Sequence, residues 1–232
     1  MKIAVLGLPD FPTGKKSLQD QRLKTLEDII KPSKTTAITL ELLDSGGLKD
    51  ADAVICEKES KLDLVIHDLE IVESRLVRAK EAGEIALFNK VKELLEKNVC
   101  LYEENFNEED KKVLFNSNLV SIKPVYFADK NQNKPAQEIM FEGYYALGMI
   151  CFITGAKDKE LRSWAIKKGT TAPEAAGAIH SDIQRGFIKA EVIAYGDLVK
   201  AGGLNQAKQF MHLEGKEYIM QDGDVLNFRF SV

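Results

Sequence analysis

Short apolar runs and helical stripes alternate along the first part of the chain. An apolar run over 2–8 predicts a buried strand that meets a loop, and leucines and isoleucines at helical spacing predict a helix over 18–30, which Pro32 ends. β-branched and apolar residues predict further strands over 35–43 and 51–56. This order of strand, loop, helix and strand is typical of an α/β layer.

From residue 68 onwards the apolar spacing becomes helical. Two apolar stripes with Gly83 between them predict an antiparallel helical hairpin over 68–98. The following segment, 98–118, is acidic and irregular. Residues 119–128 predict another strand, and residues 129–137 predict a polar loop.

The last third of the chain alternates strands and helices over shorter distances. Thr171 and Glu174 have the spacing of a capping box, which predicts a helix start at this point. The predicted elements are strand 162–168, helix 174–180, strand 187–193 and a final hairpin that turns at 221–224.

Composition narrows the class of protein. With 44% apolar and 29% charged residues, the 232 residues suffice for one large domain or two modest ones. No apolar stretch is long enough to span a membrane, so we expect a cytoplasmic protein without a membrane partner. Cys56, Cys100 and Cys151 have no CxxC spacing, so we expect buried, inert thiols and neither zinc nor disulfides.

The charge is distributed unevenly. The net charge of −4 argues against binding of nucleic acid through the net charge of the whole protein, and no DNA partner is expected. Residues 148–232 hold 11 basic against 10 acidic side chains, so any RNA contact should use this part. The candidate RNA-binding strip is Lys157, Lys159, Arg162, Lys167, Lys168, Arg185 and Lys189, although charged strand faces are usually only solvated.

Two further groups of residues have side chains that could serve in catalysis or in phosphate binding. His180 and Asp182 could form a catalytic pair, but the sequence places no nucleophile beside them, so we interpret them as structural and assign no catalytic residue. Residues 7–17 contain the glycines, lysine and serine of a phosphate-binding loop, but six residues instead of four lie between the two glycines. Pro9 and Pro12 also remove two backbone amides that could have donated to a phosphate. Its candidate ligand groups are Gly7, Gly14, Lys15, Lys16 and Ser17, and the alternative is a strand-to-helix loop whose lysines are only solvated.

A DxxG sequence follows the strand predicted at 35–43. Asp44 could hold magnesium through water, together with the Ser17 hydroxyl, and Gly47 could approach a phosphate. Asp and Gly are also the commonest turn residues, so the alternative is an ordinary turn.

Several sequence words resemble the YchF, or Obg-like ATPase, family. They are 147–155, 162–170, 172–176, 179–182, 186–192, 214–219 and 221–225, with looser similarity at 22–32, 40–48, 68–70 and 119–128. The resemblance implies a truncated P-loop NTPase-like α/β domain over 1–147 with the hairpin 68–98 inserted. It also implies an α+β β-grasp domain of the TGS type over 148–232.

Compared with that family, the chain is shortened where catalysis needs residues most. Between Ser17 and Gln21 the family would place most of the helix after the phosphate loop and the first switch, and only three residues stand there. The family reads its base with an NxxE motif. Here Asp129 stands for the Asn and Gln132 for the Glu, so Asp129 is kept as a base-contact candidate without a preference for adenine.

The resemblance implies a degenerate Obg-like ATPase relative, a regulatory protein that docks on ribosome or RNA through its TGS domain. Mg-ATP or Mg-GTP would bind weakly, and hydrolysis would be weak or absent. One alternative is a nucleotide-independent TGS adaptor. Another is a slow ATPase or GTPase in which Lys15 or Lys16 neutralises the phosphates and Asp44 places magnesium.

Overall fold

The computed structural model describes residues 1–231 and shows a chain of eleven strands and nine α-helices within that range. The strands are β1 (Lys2–Leu6), β2 (Gly14–Ser17), β3 (Lys34–Thr36), β4 (Thr39–Leu43), β5 (Ala53–Glu57), β6 (Val125–Ala128), β7 (Met149–Thr154), β8 (Glu160–Lys167), β9 (Phe187–Ile193), β10 (His212–Glu214) and β11 (Asp224–Phe230). The helices are α1 (Gln21–Ile30), α2 (Lys61–Arg78), α3 (Ala82–Glu96), α4 (Glu108–Asn116), α5 (Ala136–Ala146), α6 (Ala172–Ile179), α7 (Ser181–Arg185), α8 (Tyr195–Ala201) and α9 (Leu204–Ala207).

These elements form two compact units, each built from two separate stretches of sequence. The first unit consists of residues 1–16 and 40–143, and the second of residues 17–39 and the residues from Tyr144 onwards. The boundary predicted from the sequence, after residue 147, lies near the last point at which the chain changes unit, after Gly143. Residues 17–39, which the sequence-based domains assign to the N-terminal half, lie in the second unit because the apolar stripe of α1 packs in its core.

The first unit is organised around a five-stranded sheet in the order β2-β4-β1-β5-β6. Strand β1 runs parallel to both of its neighbours, and β6 runs parallel to β5. All five residues of β5 are buried, as expected where both faces of a parallel sheet are covered. The predicted α/β layer is therefore confirmed.

The helical hairpin of the first unit is α2 followed by α3. Val72 of α2 packs with Phe88, Val91 and Leu95 of α3, and α4 adds Leu114 to the same apolar cluster. The hairpin predicted over 68–98 is confirmed, but it starts earlier, at Lys61, and the sequence's Gly83 lies inside α3.

The second unit has a six-stranded sheet in the order β10-β9-β11-β7-β8-β3. The central strands β7 and β11 are parallel, whereas β7 pairs antiparallel with β8, and β11 pairs antiparallel with β9. One apolar cluster joins the sheet to α6 and a second joins it to α1 and α8, so the sheet has a core on each face. This arrangement agrees with the predicted β-grasp fold.

Several local predictions differ from the structure. The single strand predicted over 35–43 is two strands, β3 and β4, which lie in different sheets. The segment predicted as irregular contains α4, and only Val125–Ala128 of the strand predicted over 119–128 is extended. The turn at 221–224 forms, with the Asp224 amide donating to the Gln221 carbonyl, but it does not join a hairpin because β11 pairs with β9 and β7.

Candidate nucleotide site

Three of the eight predicted nucleotide-binding residues directly follow the carboxyl ends of parallel strands in the first sheet. Gly7 follows β1, Asp44 follows β4, Glu57 ends β5, and Asp129 follows β6. In open α/β sheets, ligands bind in the crevice outside these carboxyl ends. The candidate site therefore lies at this edge of the first unit.

Gly7 is required by close packing at the start of the loop. Its φ is +76°, and a Cβ at this position would lie 2.2 Å from the Ser60 Oγ and 2.8 Å from the Glu57 Cβ. Four residues later the Phe11 amide donates to the Leu8 carbonyl at 3.0 Å, which closes a turn. The loop after β1 is thus tightly held at its start and folded back on itself.

The loop does not lead into a helix, which contradicts the geometry expected of a phosphate-binding loop. Gly14, Lys15, Lys16 and Ser17 form β2, which lies at the edge of the sheet beside β4, and α1 begins only at Gln21. Helix N-terminal amides and the helix dipole are what bind an anion after such a loop. A strand offers neither, so Lys15 stands on an exposed strand instead of beside a cradle of amides.

Two adjoining cavities lie against the loop after β1. One, of about 310 Å³, is lined by Gly7, Thr13, Asp44 and Ser45 among others, and the second, of about 420 Å³, is lined by Asp10, Lys130, Asn133 and Lys134. Both cavities also share the apolar residues Leu8, Pro9 and Phe11. Lys15, Lys16 and Ser17 line neither cavity.

The DxxG segment forms a short 3-10 turn. Asp44 caps it, with Oδ1 accepting from the Gly46 amide at 3.0 Å, and a Cβ on Gly47 would lie 2.6 Å from the Leu43 Cβ. Ser17 lies on β2, and the hydroxyl residues that line the cavity with Asp44 are Thr13 and Ser45. Within residues 1–231 no cluster of three or more His, Cys, Asp or Glu could hold a metal. The predicted magnesium pair of Ser17 and Asp44 is not assembled around either cavity.

Asp129 is engaged in local structure. Its Oδ1 accepts from the Asn131 amide at 3.0 Å, and its Oδ2 lies 3.3 Å from the Lys58 Nζ. These contacts, the amide first and the ammonium second, hold the pKa of Asp129 below its ordinary value. A charged carboxylate held in this way accepts hydrogen bonds only, so it cannot present the donor of an Asn side chain to a base.

The basic residues that line the larger cavity were missed by the sequence reasoning. Lys130 contacts Glu59 and lies 3.9 Å from the buried Glu57, while Lys134 contacts Glu142 and lies 3.8 Å from Glu138. The sequence feature that could have identified these two lysines is only that they follow the end of a predicted strand. Each ammonium already faces two carboxylates, so neither adds net positive charge to the cavity.

The basic residues of the second unit do not form one strip. Lys157 and Lys159 precede β8, whereas Lys167 and Lys168 lie at its far end, about 25 Å away for eight residues of strand. The guanidinium of Arg162 lies 4.1 Å from the centre of the Trp164 ring. Lys189 lies on β9, which β7 and β11 separate from β8, and Arg185 pairs with Asp182.

The remaining candidates are structural. Cys56, Cys100 and Cys151 are free and buried, as predicted, and burial raises the pKa of their thiols to about 12, about 11 and about 12. The His180 Nδ1 accepts from the Asp182 amide at 3.1 Å, which caps α7. The capping box is also confirmed, because the Glu174 carboxylate accepts from the Thr171 amide at 2.8 Å.

Similarity to known proteins agrees with this architecture. Residues 149–231 match the family model YchF-GTPase_C, which is described as a protein of unknown function. The chain is 28% identical over 330 aligned residues to the ribosome-binding ATPase YchF of Bacillus subtilis, with 96% of this chain and 90% of that protein covered. The protein of the same name from Haemophilus ducreyi is 51% identical over 92 residues, which cover 39% of this chain and 25% of that protein.

A solved structure shares the fold. The YchF GTPase of Schizosaccharomyces pombe superposes with a TM-score of 0.75 at 20% identity, covering 99% of this chain and 97% of that chain. This likeness shows the fold, which combines a parallel sheet with a loop after its first strand, a helical hairpin and a C-terminal mixed sheet. The chain is similar to YchF proteins along most of its length and is shorter than they are, with 232 residues set against an alignment of 330.

No helix within residues 1–231 combines the length and the apolar character that a membrane crossing requires.

Proposed function

We propose that this protein is a ribosome-associated YchF relative that binds nucleotide weakly and whose hydrolysis of it is weak or absent. The observation that supports this most directly is the strand at Gly14–Ser17, which occupies the place of a phosphate-binding helix N-terminus. Three charge-assisted hydrogen bonds at roughly 1.5–3 kcal/mol each would be typical of an intact loop. Loss of half of them costs about 2–4 kcal/mol, which weakens a micromolar site to about 0.1–1 mM.

The charge around the cavities supports the same conclusion. Asp10 and Asp44 line them, and the two lining lysines are engaged by Glu59 and Glu142. A nucleoside triphosphate brings several negative charges into this acidic surrounding, where like charges repel. Hydrolysis also needs an ordered magnesium ion, and Ser17 lies on the exposed edge strand while Asp44 lines the cavity.

Association with the ribosome is proposed from the relatives. The relatives from Bacillus subtilis and from two Haemophilus species are named ribosome-binding ATPases, and a family model matches residues 149–231 of the chain. We propose that this part is a TGS domain and that it carries the docking surface, in the cytoplasm. Either of two separate basic groups could meet phosphates: Lys157 with Lys159, or Lys167 with Lys168.

Calorimetric titration with Mg-ATP and Mg-GTP tests the nucleotide part. We expect dissociation constants no tighter than about 0.1 mM and no phosphate release above background. Lys15→Ala and Lys16→Ala should change neither result, with Lys112→Ala as the control at another exposed lysine. Micromolar binding that Lys15→Ala abolishes would overturn the proposal and favour the slow NTPase.

A nucleotide-independent adaptor is the second candidate, and the acidic lining of the cavities favours it. Ribosome co-sedimentation with and without nucleotide separates the two. Association that is unaffected by nucleotide supports the adaptor, and association that changes with millimolar nucleotide supports a weak regulatory site.

The docking surface is tested by charge reversal in the same co-sedimentation assay. Lys157→Glu with Lys159→Glu, and separately Lys167→Glu with Lys168→Glu, should identify which group contributes. Lys111→Glu with Lys112→Glu on α4 is the matched control. If both C-terminal reversals sediment like the unchanged protein, the basic groups have no part in docking.

A further inference from the structure

Residues 18–38, which we call the inserted segment, are built into the second unit. Its strand β3 pairs in parallel with β8, with Lys34 opposite Glu160 and Thr36 opposite Arg162, and becomes the edge of the six-stranded sheet. The Leu18 amide donates to the Ile38 carbonyl at 2.8 Å. This hydrogen bond holds the two ends of the segment together, so α1 and β3 lie within a stretch of chain whose ends meet.

Helix α1 supplies much of the core on one face of that sheet. Leu23, Leu26 and Ile30 are at most 5% exposed. They form one apolar cluster with residues of β7, β8, β9, β11 and α8, namely Ile153, Leu161, Ile193, Val225 and Leu198. Without α1, this face of four neighbouring strands would lose its apolar cover, which is costly for so many large side chains.

Arg22 joins the start of α1 to three other places in the second unit. Its guanidinium donates to Asp20 at 2.7 Å, to Asp222 before β11 at 2.7 Å and to the Tyr145 hydroxyl at 2.5 Å, and it lies 3.2 Å from the Cys151 Sγ. Asp222 in turn accepts from the Cys151 amide at 3.0 Å. Planar, forked guanidinium groups are suited to holding two carboxylates at once.

We propose that the inserted segment is an obligatory part of the C-terminal unit and that Arg22 is its positioning residue. The β-grasp sheet and the inserted segment then fold and unfold together as one cooperative unit. The docking part of the protein is accordingly not a separable module beginning near residue 148. The consequence for docking rests on the proposed function, whereas the cooperativity does not.

Hydrogen–deuterium exchange on the full-length protein tests the cooperativity. In Arg22→Met two carboxylates lose their partner, so we expect exchange to become about 10-fold to 100-fold faster in α1 and β3 and equally in β7, β8 and β11. The strand β5 and the helix α2 of the first unit should exchange at an unchanged rate. Lys24→Met, two residues along the same helix and exposed, is the matched control and should leave every rate unchanged.

The opposite outcome is equally definite. If exchange rises only in residues 18–38 while β7, β8 and β11 keep their protection, the segment is an independently docked strap and the proposal is wrong. Asp222→Asn removes one charge of the same network with little change in volume, so it provides the measurement should Arg22→Met fail to fold. It should accelerate the same elements together, by a smaller factor.

Ribosome co-sedimentation adds the functional readout. Arg22→Met should reduce association under conditions where Lys24→Met does not. If the unchanged protein does not sediment with ribosomes, the proposed function fails while the exchange result still decides the cooperativity. If Arg22→Met sediments normally although exchange of the whole unit has risen, docking does not need the ordered unit and that consequence is overturned.

Discussion

The carboxylate of Asp68 shows how one residue fixes the helical hairpin to the chain that follows it. Asp68 has no exposed surface and accepts from the amides of Val120 at 2.8 Å and Ser121 at 2.7 Å. Both amides belong to residues that are themselves fully buried. Because buried donors without partners are costly, this side chain determines whether the segment 119–122 can pack.

Asp68→Ala should therefore destabilise the protein strongly. Two buried amides lose their acceptor, and we expect a loss of about 2–4 kcal/mol in the free energy of unfolding. Urea unfolding followed by circular dichroism measures it. Glu70→Ala, on the exposed side of the same helix, should cost less than about 0.5 kcal/mol. Equal losses in the two variants would contradict the role assigned to Asp68.

Gly7 and Gly14 provide a matched pair at the two ends of the loop. Both have positive φ, at +76° and +82°, but a Cβ at Gly7 would collide with Ser60 whereas a Cβ at Gly14 meets open space. We expect Gly14→Ala to cost about 1 kcal/mol for the backbone conformation alone. Gly7→Ala should cost about 2–4 kcal/mol, because a collision is added. Thermal unfolding of the two variants gives the comparison, and similar costs would mean that the loop adjusts freely.

Asp224 predicts a pH dependence of stability. It is 4% exposed, and burial raises its pKa above the ordinary 3.8 against the opposing hydrogen bonds from the Gln221 amide and the Tyr218 hydroxyl. A raised folded-state pKa contributes stability that is present below 3.8 and is lost as the pH rises through the folded value. At neutral pH the buried charge is therefore a cost.

Asp224→Asn should remove that cost, because one oxygen accepts both hydrogen bonds and an amide oxygen can replace it. We expect the variant to be more stable by about 1 kcal/mol at pH 7 and to lose this advantage towards pH 3. Urea titrations at both pH values test the sign, with Glu217→Gln as an exposed control. A variant that is less stable at pH 7 would show that the charged form is preferred.

At the scale of elements, the sequence predicts types better than connections. The apolar residues over 35–43 are typical of one strand, and the chain is extended through most of this range. What the pattern does not contain is the change of sheet between β3 and β4. That change depends on tertiary contacts, such as the hydrogen bond from the Ile38 amide to the Ser163 hydroxyl 125 residues away.

Helix α4 is not predicted from the apolar pattern, for a physical reason that the sequence does express. Helix α4 begins with Glu108, Glu109 and Asp110 and buries only Leu114, so its apolar stripe is too sparse to show a helical period. Its first-turn acids and the Asn107 cap are the signal that could have found it. The acidic composition of this segment predicts irregular structure when taken alone, but in the structure it marks the start of a helix.

The candidate site likewise contains some features that the sequence predicts and one that it does not. The positions of Gly7, Asp44 and Asp129 after parallel strands follow from the apolar runs that precede them. The strand at 14–17 does not, because lysines and serine have no strong strand preference and only pairing beside β4 makes the segment extended. The same short sequence before a full-length helix would be expected to support a phosphate loop.

At the scale of the whole molecule, the chain crosses between its two units three times, after Lys16, Thr39 and Gly143. Composition does not change at residue 17 or at residue 40, so the sequence contains no sign of the first two crossings. Sequence order alone therefore suggests two consecutive domains. The first unit has its apolar clusters around β5 and the helical hairpin, and the second around the two faces of its own sheet. Two units with separate cores are expected to respond separately to core damage.

Differential scanning calorimetry of two variants tests this expectation. Asp68→Ala affects a network within the first unit and Arg22→Met one within the second. We expect each variant to lower one transition by several degrees and to leave the other in place, because a change of 1 kcal/mol moves the midpoint of a domain of about 100 residues by about 4–8 °C. The calorimetric enthalpy of the unchanged protein should then exceed the van't Hoff enthalpy. If both variants shift one common transition equally, the two cores unfold as a single cooperative unit. A substitution at residue 68 would then also destabilise the packing around residue 22.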